Sequence, residues 1–371
     1  MGATSPTAGK SPTSPGRASK TPPAAASSPR GPASPGTPAS PNTAASPGDN
    51  DGLLEVDPDA QGQGHDNDAD SFMSAGDLSY TTSVMSSIFK FREENGRTYH
   101  AYKASEAAYF LPNDERENER LADLQHNLFL LSQDNQLFLS PAGKDKPLTR
   151  VLDAGTGTGI WAIELADEKP EAAVVGVDLS PIQPAFVPPN VEFFVDDLEA
   201  EWTFVNPFDF IYMRMMTGSI RDWPKLIGQA YRHLHPGGYI ELADALPLTC
   251  DDGTFSDDCP LAKWNRHLGE ASGKLGASMT SAAEYKQQMI DAGFQDVVQV
   301  TYKWPINTWP LDARHKEIGT WTSLNINSGL QGVTLMLFTS ILGWTTDEVE
   351  TFLVGVRKDL KNRNIHAYWP V

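Results

Sequence analysis

Cysteine is nearly absent: only Cys250 and Cys259 occur in 371 residues. A single C-x8-C pair, without a second pair or histidines at ligand spacing, supplies neither a disulfide framework nor a zinc site, and it points to an intracellular chain. No run of 18 apolar residues occurs, and the N-terminus carries no apolar stretch flanked by charge, so neither a membrane span nor a secretory signal is expected. Basic residues are scarce, 29 Lys and Arg against 48 Asp and Glu, for a formal net charge of -19. That balance argues against phosphate-driven binding to DNA or RNA as the main activity.

Residues 1–50 contain no Leu, Ile, Val, Phe, Tyr, Trp or Cys. Such a segment has almost nothing to bury against the entropy of ordering its backbone, and residues 1–80 read as a disordered tail, Pro/Ser/Ala-rich and then acidic. Ser or Thr precedes Pro at Ser5, Ser11, Ser14, Thr21, Ser28, Ser34, Thr37, Ser40 and Ser46. These nine positions suit proline-directed phosphorylation, which would alter charge and partner choice rather than fold; an inert solubilising tail explains them equally well.

Order is expected from near Tyr80, where aromatic residues begin to gather. From Asn113, Leu121, Leu124, Leu128 and Leu131 recur at helical spacing behind an acidic first turn. Short apolar segments then alternate with helices: strands at 150–154, 173–178, 191–195, 208–213 and 238–244, helices from Gly159 to Asp167 and from Trp223 to Leu234. Near-continuous Val, Ile, Leu and Phe between helices predicts a parallel sheet covered on both faces. Beyond Pro260 the pattern predicts helices over 261–274 and 281–292, a strand over 296–304, a largely helical 311–361 and a strand-like end at 366–371. The expected architecture is one α/β body over 81–371, with a core sheet over 148–246 and helical additions over 81–135 and 260–365.

The sharpest motif is VLDAGTGTG, residues 151–159, at the end of the first core strand. Gly155, Gly157 and Gly159 bare the backbone where a strand turns into a helix, so a ligand can approach closely. The spacing is G-x-G-x-G, with Ile160 where a nicotinamide-dinucleotide fingerprint would place its last glycine. Asp153 just before the loop would repel a pyrophosphate and suits a ligand with a cationic end, as S-adenosylmethionine has. Asp178 ends the next strand, placed to accept ribose hydroxyls, and Asp197 follows the third, where an adenine amino group can be met. With Thr156, Leu179, Leu198 and Arg214, these residues make the candidate cofactor-binding set.

Asp196 beside Asp197 is expected to face away, because neighbours in a strand point to opposite faces. Arg214 holds either an anionic acceptor, the cofactor's carboxylate or one of the abundant acids. Trp202 covers the adenine or fills the core, and Met213, Met215 and Met216 read as core filling. The segment with Tyr99 and His100 is a candidate lid over the cofactor, the alternative being ordinary core residues. No metal site and no catalytic base stand out.

The chain resembles class I S-adenosylmethionine-dependent methyltransferases, with their Rossmann-like sheet, and more narrowly the LaeA-like family of fungal methyltransferases. The resemblance rests on YFLPNDERENERL (109–121), VLDAGTGTGIWAIELA (151–166), GVDLSPIQP (176–184), VPPNVEFFVDDLEAEWTF (187–204), FDFIYMRMMTGSIRDWPKL (208–226) and LHPGGYIEL (234–242). It implies S-adenosylmethionine as cofactor, a nuclear or cytoplasmic setting, and velvet-type proteins as partners of the regulators in the family. Related enzymes also include metabolite methyltransferases, so a small-molecule acceptor is the alternative to a regulatory role. Where methyltransferases of amide or exocyclic nitrogens carry an Asn-Pro-Pro-Tyr-like motif, this chain has Tyr212–Met216, which argues against that subclass.

Overall fold

The computed structural model describes residues 90–103 and 109–371. The tail assigned to 1–80 and the onset of order near Tyr80 lie outside the described residues. The centre is a five-stranded parallel sheet of β3 (Arg150–Ala154), β4 (Ala173–Asp178), β5 (Val191–Val195), β6 (Phe208–Arg214) and β7 (Leu234–Ala243), in the order β5-β4-β3-β6-β7. The middle strands β3, β4 and β6 are mostly apolar because both of their faces are buried, whereas the edge strands β5 and β7 are partly exposed. Val151, Val174, Phe210 and Tyr212 pack under Trp161, Ala162 and Leu165 of α3 (Ile160–Glu168). Their neighbours Leu152, Val175, Ile211 and Met213 pack on Trp223, Leu226 and Ile227 of α4 (Trp223–Arg232) and on Tyr285 and Met289 of α6 (Tyr285–Ala292).

Helices stand before and after the sheet. β1 (Arg92–Glu94) and β2 (Arg97–Tyr99) form a small hairpin. A continuous helical run follows, α1 (Glu115–Glu119), a π-helical turn (Arg120–Gln125) and α2 (His126–Ser132). Asp114 starts it by accepting from Glu117 N at 3.1 Å, and Arg97 holds the same carboxylate. After the sheet, α5 (Pro260–Lys274), α7 (Ala313–Met336), the π-helical turn that continues it (Leu337–Ile341) and α8 (Thr346–Leu360) gather Leu261, Trp264, Leu330, Phe338 and Leu353 into a third core that also takes in Tyr99 and Phe110.

The strand predicted over 296–304 is reduced to β8 (Lys303–Pro305), while Val298 and Val300 are exposed. Its partner sets the limit: β9 (Tyr368–Pro370) offers only three residues, antiparallel. β9 pairs on its other side with the chain leaving β7, through Leu246 N to Pro370 O at 2.8 Å and mutual Thr249–Tyr368 bonds of 3.0 Å. The C-terminal strands thus form a separate two-stranded ribbon tied to the segment that follows β7. No helix among the described residues is long and apolar enough to cross a membrane.

Candidate functional site

The chain runs β3, β4, β5 outward to one edge and returns to place β6 against β3, so a crevice opens beyond the carboxyl ends of these strands. A cavity of about 270 Å³ occupies it, lined by residues that follow all five strands: Gly155–Thr158, Asp178 and Leu179, Asp196–Glu199, Arg214–Thr217 and Ala245–Pro247. Of the sequence-derived set, Gly155, Thr156, Gly157, Asp178, Leu179, Asp197, Leu198 and Arg214 line it; Asp153 and Gly159 do not.

The glycine loop is built as the motif suggests. Gly155, Gly157 and Gly159 have φ of 82°, 57° and 81°, the left-handed region where a side chain is strained, and Gly159 caps α3. Gly155 N and Thr156 N donate to Val177 O, which continues the β3–β4 ladder into the loop. Gly157 N then donates to Asp178 Oδ2 at 2.8 Å, and Gln183 Nε2 donates to Gly157 O at 2.6 Å. A Cβ on Gly157 would have no atom within 4 Å, so the space before it belongs to the cavity.

The acids divide their work. Asp178 accepts from Gly157 N and, at 3.0 Å, from Ser180 N, while burial pushes its carboxyl above the usual range. Asp153 is fully buried behind the loop and accepts Thr156 Oγ1 at 2.5 Å. Burial raises it to about 6, against the pull of Thr156 and of Arg214, so it braces the loop from behind rather than facing a ligand. Asp196 and Asp197 both line the cavity, which corrects the expectation of opposite faces. They lie past the end of β5 in a turn, where strand alternation no longer applies. Asp197 also pairs with Lys103 at 3.0 Å.

Arg214 ends β6 in a fixed pose. Its Nη1 donates to His126 Nδ1 at 3.1 Å, and its guanidinium lies 5.0 Å from the centre of the Phe129 ring. A guanidinium only donates, so Nδ1 is the acceptor and Nε2 carries the proton that His126 gives to Glu164 Oε2 at 2.8 Å. Burial and the neighbouring Arg214 lower the imidazole pKa, which keeps this relay in the neutral tautomer.

Tyr99 and His100 do not reach the cavity, which corrects their place as lid residues. Tyr99 is fully buried in the helical core, and His100, also buried, meets Tyr109 edge-on at 5.7 Å; Tyr109 and the adjoining Phe110 line the cavity. Trp202 is in the core, its Nε1 bonded to Leu198 O. Met213 fills the core, but Met215 and Met216 line the cavity. Met215 has a φ of 56°, a strained conformation for a non-glycine residue and one that sequence does not display.

Sequence reasoning also missed Asp244, whose carboxylate accepts Met216 N at 3.0 Å and Tyr285 Oη at 2.9 Å and so pins the end of β6. Burial raises it to about 7 from its ordinary 3.8. The folded chain therefore holds this proton more tightly than the unfolded chain, and the stability it contributes at low pH is lost as pH rises from about 4 to about 7. Asp244→Asn should cancel that loss: relative to the parent, the variant should gain roughly 2 to 4 kcal/mol between about pH 4.5 and about pH 7.5. Urea unfolding at the two pH values reads it, and an unchanged difference would place the buried proton elsewhere. Among the described residues no group of three or more His, Cys, Asp or Glu is arranged to hold a metal.

A parallel sheet with β3 at its centre, a G-x-G-x-G turn and acids closing the next two strands define the fold and cofactor cleft of a class I methyltransferase. The family model described as a methyltransferase domain matches residues 124–300. The methyltransferase pytC of Aspergillus terreus is 42% identical over 288 residues, 77% of this chain and 87% of the relative. The secondary metabolism regulator LAE1 of Cochliobolus heterostrophus is 38% identical over 74% of this chain and 91% of its own length. The protein-methionine methyltransferase laeA of Emericella nidulans is 34% identical over 75% and 74%. The chain belongs to the LaeA-like family of S-adenosylmethionine-dependent methyltransferases, and S-adenosylmethionine is its cofactor.

Proposed function

We propose that the chain transfers the methyl group of S-adenosylmethionine to an acceptor lodged between the glycine loop and the helical additions. We further propose that it serves as a fungal regulator of secondary metabolism and development, with protein partners of velvet type, in the nucleus, the cytoplasm or both. The observation that carries the first part is the open space in front of Gly157, on a loop whose backbone N–H is tied back to Asp178. The names of LAE1 and laeA and the Ser-Pro tail support the second.

S-adenosylmethionine supplies an electrophilic methyl group on a sulfonium, so the chain has mainly to align and dry the reactants. Asp178 is placed for the ribose hydroxyls and Asp196 or Asp197 for the adenine amino group. Arg214, steadied by His126, is placed for the cofactor's carboxylate. Arg214→Ala should then weaken S-adenosylhomocysteine binding by about tenfold, the scale of one charge-assisted hydrogen bond, and leave 5′-methylthioadenosine, which lacks the carboxylate, unaffected. Calorimetry compares the two, and equal losses would assign Arg214 to the loop instead.

A second reading, a tailoring enzyme for a small metabolite, is favoured by the similarity to pytC and by the apolar walls of the cavity beyond the glycine loop. Methyl-labelled cofactor incubated with the chain and a fungal extract separates the two. Label in a protein band supports a regulator acting on proteins; label in the organic extract supports tailoring; no transfer at all overturns both.

A further inference from the structure

The cavity is lined by a cluster of polar side chains to which the methyl-transfer reading gives no role. Arg120, buried in the π-helical turn, is held by Glu117 through Nε at 3.0 Å and Nη2 at 2.5 Å. Its Nη1 donates to two amide oxygens at once, Gln125 Oε1 at 3.0 Å and Asn325 Oδ1 at 2.6 Å. The contact is close: a Cβ on Gly329 of α7 would meet Arg120 Cδ at 2.8 Å.

A guanidinium has no acceptor, so both amides must turn their oxygens toward it, and the orientation of each is fixed by chemistry rather than by choice. What remains of each is an NH2 group with no partner among the described residues. Gln125 and Asn325 both line the cavity. Arg120 therefore works as an orienting pin that turns two amides into donors. Its own charge is cancelled by Glu117 at contact distance, so this end of the cavity presents donors without a free charge. Trp264, Trp304 and Trp369 line the same cavity and offer it flat apolar surface.

We propose that Gln125 and Asn325 form the acceptor-recognition site, and that the acceptor is an uncharged aromatic small molecule whose carbonyl or similar oxygen takes hydrogen bonds from the two amides. Arg214, the other cation lining the cavity, is taken by the cofactor's carboxylate, so beside a bound cofactor an anionic acceptor finds no free cation among the described lining residues and meets Asp178, Asp196 and Asp197. A cationic acceptor meets donors where it needs acceptors. The inference rests on the methyl-transfer reading only for the place of the cofactor, and it deepens that reading by naming a substrate class that favours a small-molecule acceptor over a protein one.

The test uses the full chain loaded with S-adenosylhomocysteine, and again the free chain, titrated with 2-acetonaphthone, 2-naphthoate and 2-naphthylmethylamine, read by tryptophan fluorescence and calorimetry. The neutral ketone should bind and the two charged analogues should bind at least about tenfold more weakly. Asn325→Asp keeps an oxygen for Arg120 and removes the NH2, as does Gln125→Glu, and each should weaken the ketone by about tenfold while S-adenosylhomocysteine affinity and the melting temperature stay unchanged. Two variants guard against a folding defect in either. The proposal is overturned if the ketone does not bind, if both variants bind it like the parent, or if a charged analogue or a methionine-containing peptide competes with equal strength. Failure of S-adenosylhomocysteine to bind is a separate result that counts against the methyl-transfer reading.

Discussion

Replacing Gly157 by arginine is expected to abolish S-adenosylmethionine binding, a loss of at least about 100-fold, while the chain still unfolds cooperatively. The three loop glycines are not equivalent. A Cβ at Gly155 would meet Met216 Sδ at 2.2 Å, and one at Gly159 would meet the Phe193 ring at 2.5 Å, so substitution there strains the protein itself. At Gly157 nothing lies within 4 Å, and the only cost to the fold is the left-handed φ of 57°, on the order of 1 kcal/mol. The side chain would fill space that the protein does not use and the ligand does. Calorimetric titration beside a thermal melt reads both halves of the expectation. Parent-like affinity in a folded variant would mean that the loop is not the cofactor cradle. Nicotinamide dinucleotide should not compete in the parent; tight binding would instead indicate a dehydrogenase site.

The sheet and the loop were legible because their determinants are local. Val151 and Leu152, or Val174 and Val175, can both be apolar only where a strand is covered on two sides, and G-x-G-x-G states its own turn. Determinants that lie far apart in the chain were not legible. Arg120 reads in sequence as one basic residue in an acidic helix start; its function as a pin depends on Asn325, 205 residues away. Val298 and Val300 have the composition of a strand, but pairing is decided by β9 near the C-terminus, which reaches only Lys303–Pro305. Tyr99 and His100 look like lid aromatics until α7 and its neighbours close a core around Tyr99. Asp153 was placed correctly beside the loop, yet whether its carboxylate faced the ligand or backed the loop turned on the Thr156 hydroxyl.

Asp178→Ala is expected to weaken S-adenosylmethionine by about 10- to 100-fold, the equivalent of roughly 1 to 3 kcal/mol. The carboxylate already accepts one backbone N–H on each oxygen, from Gly157 and from Ser180, and each oxygen keeps a lone pair for a ribose hydroxyl. Removing it therefore does two things: it withdraws the acceptor from the ribose and unties the glycine loop from the end of β4. Asp178→Asn cannot restore both, because its single oxygen serves one backbone N–H while its NH2 faces the other donor. The two effects separate with ligands that differ only in the hydroxyls. The parent should prefer adenosine to 2′,3′-dideoxyadenosine, and Asp178→Ala should bind the two alike. If the variant weakens both and keeps the preference, Asp178 acts through the loop alone, and the ribose hydroxyls must be met by another group lining the cavity, of which Asp196, Asp197 and Glu199 are the acidic candidates.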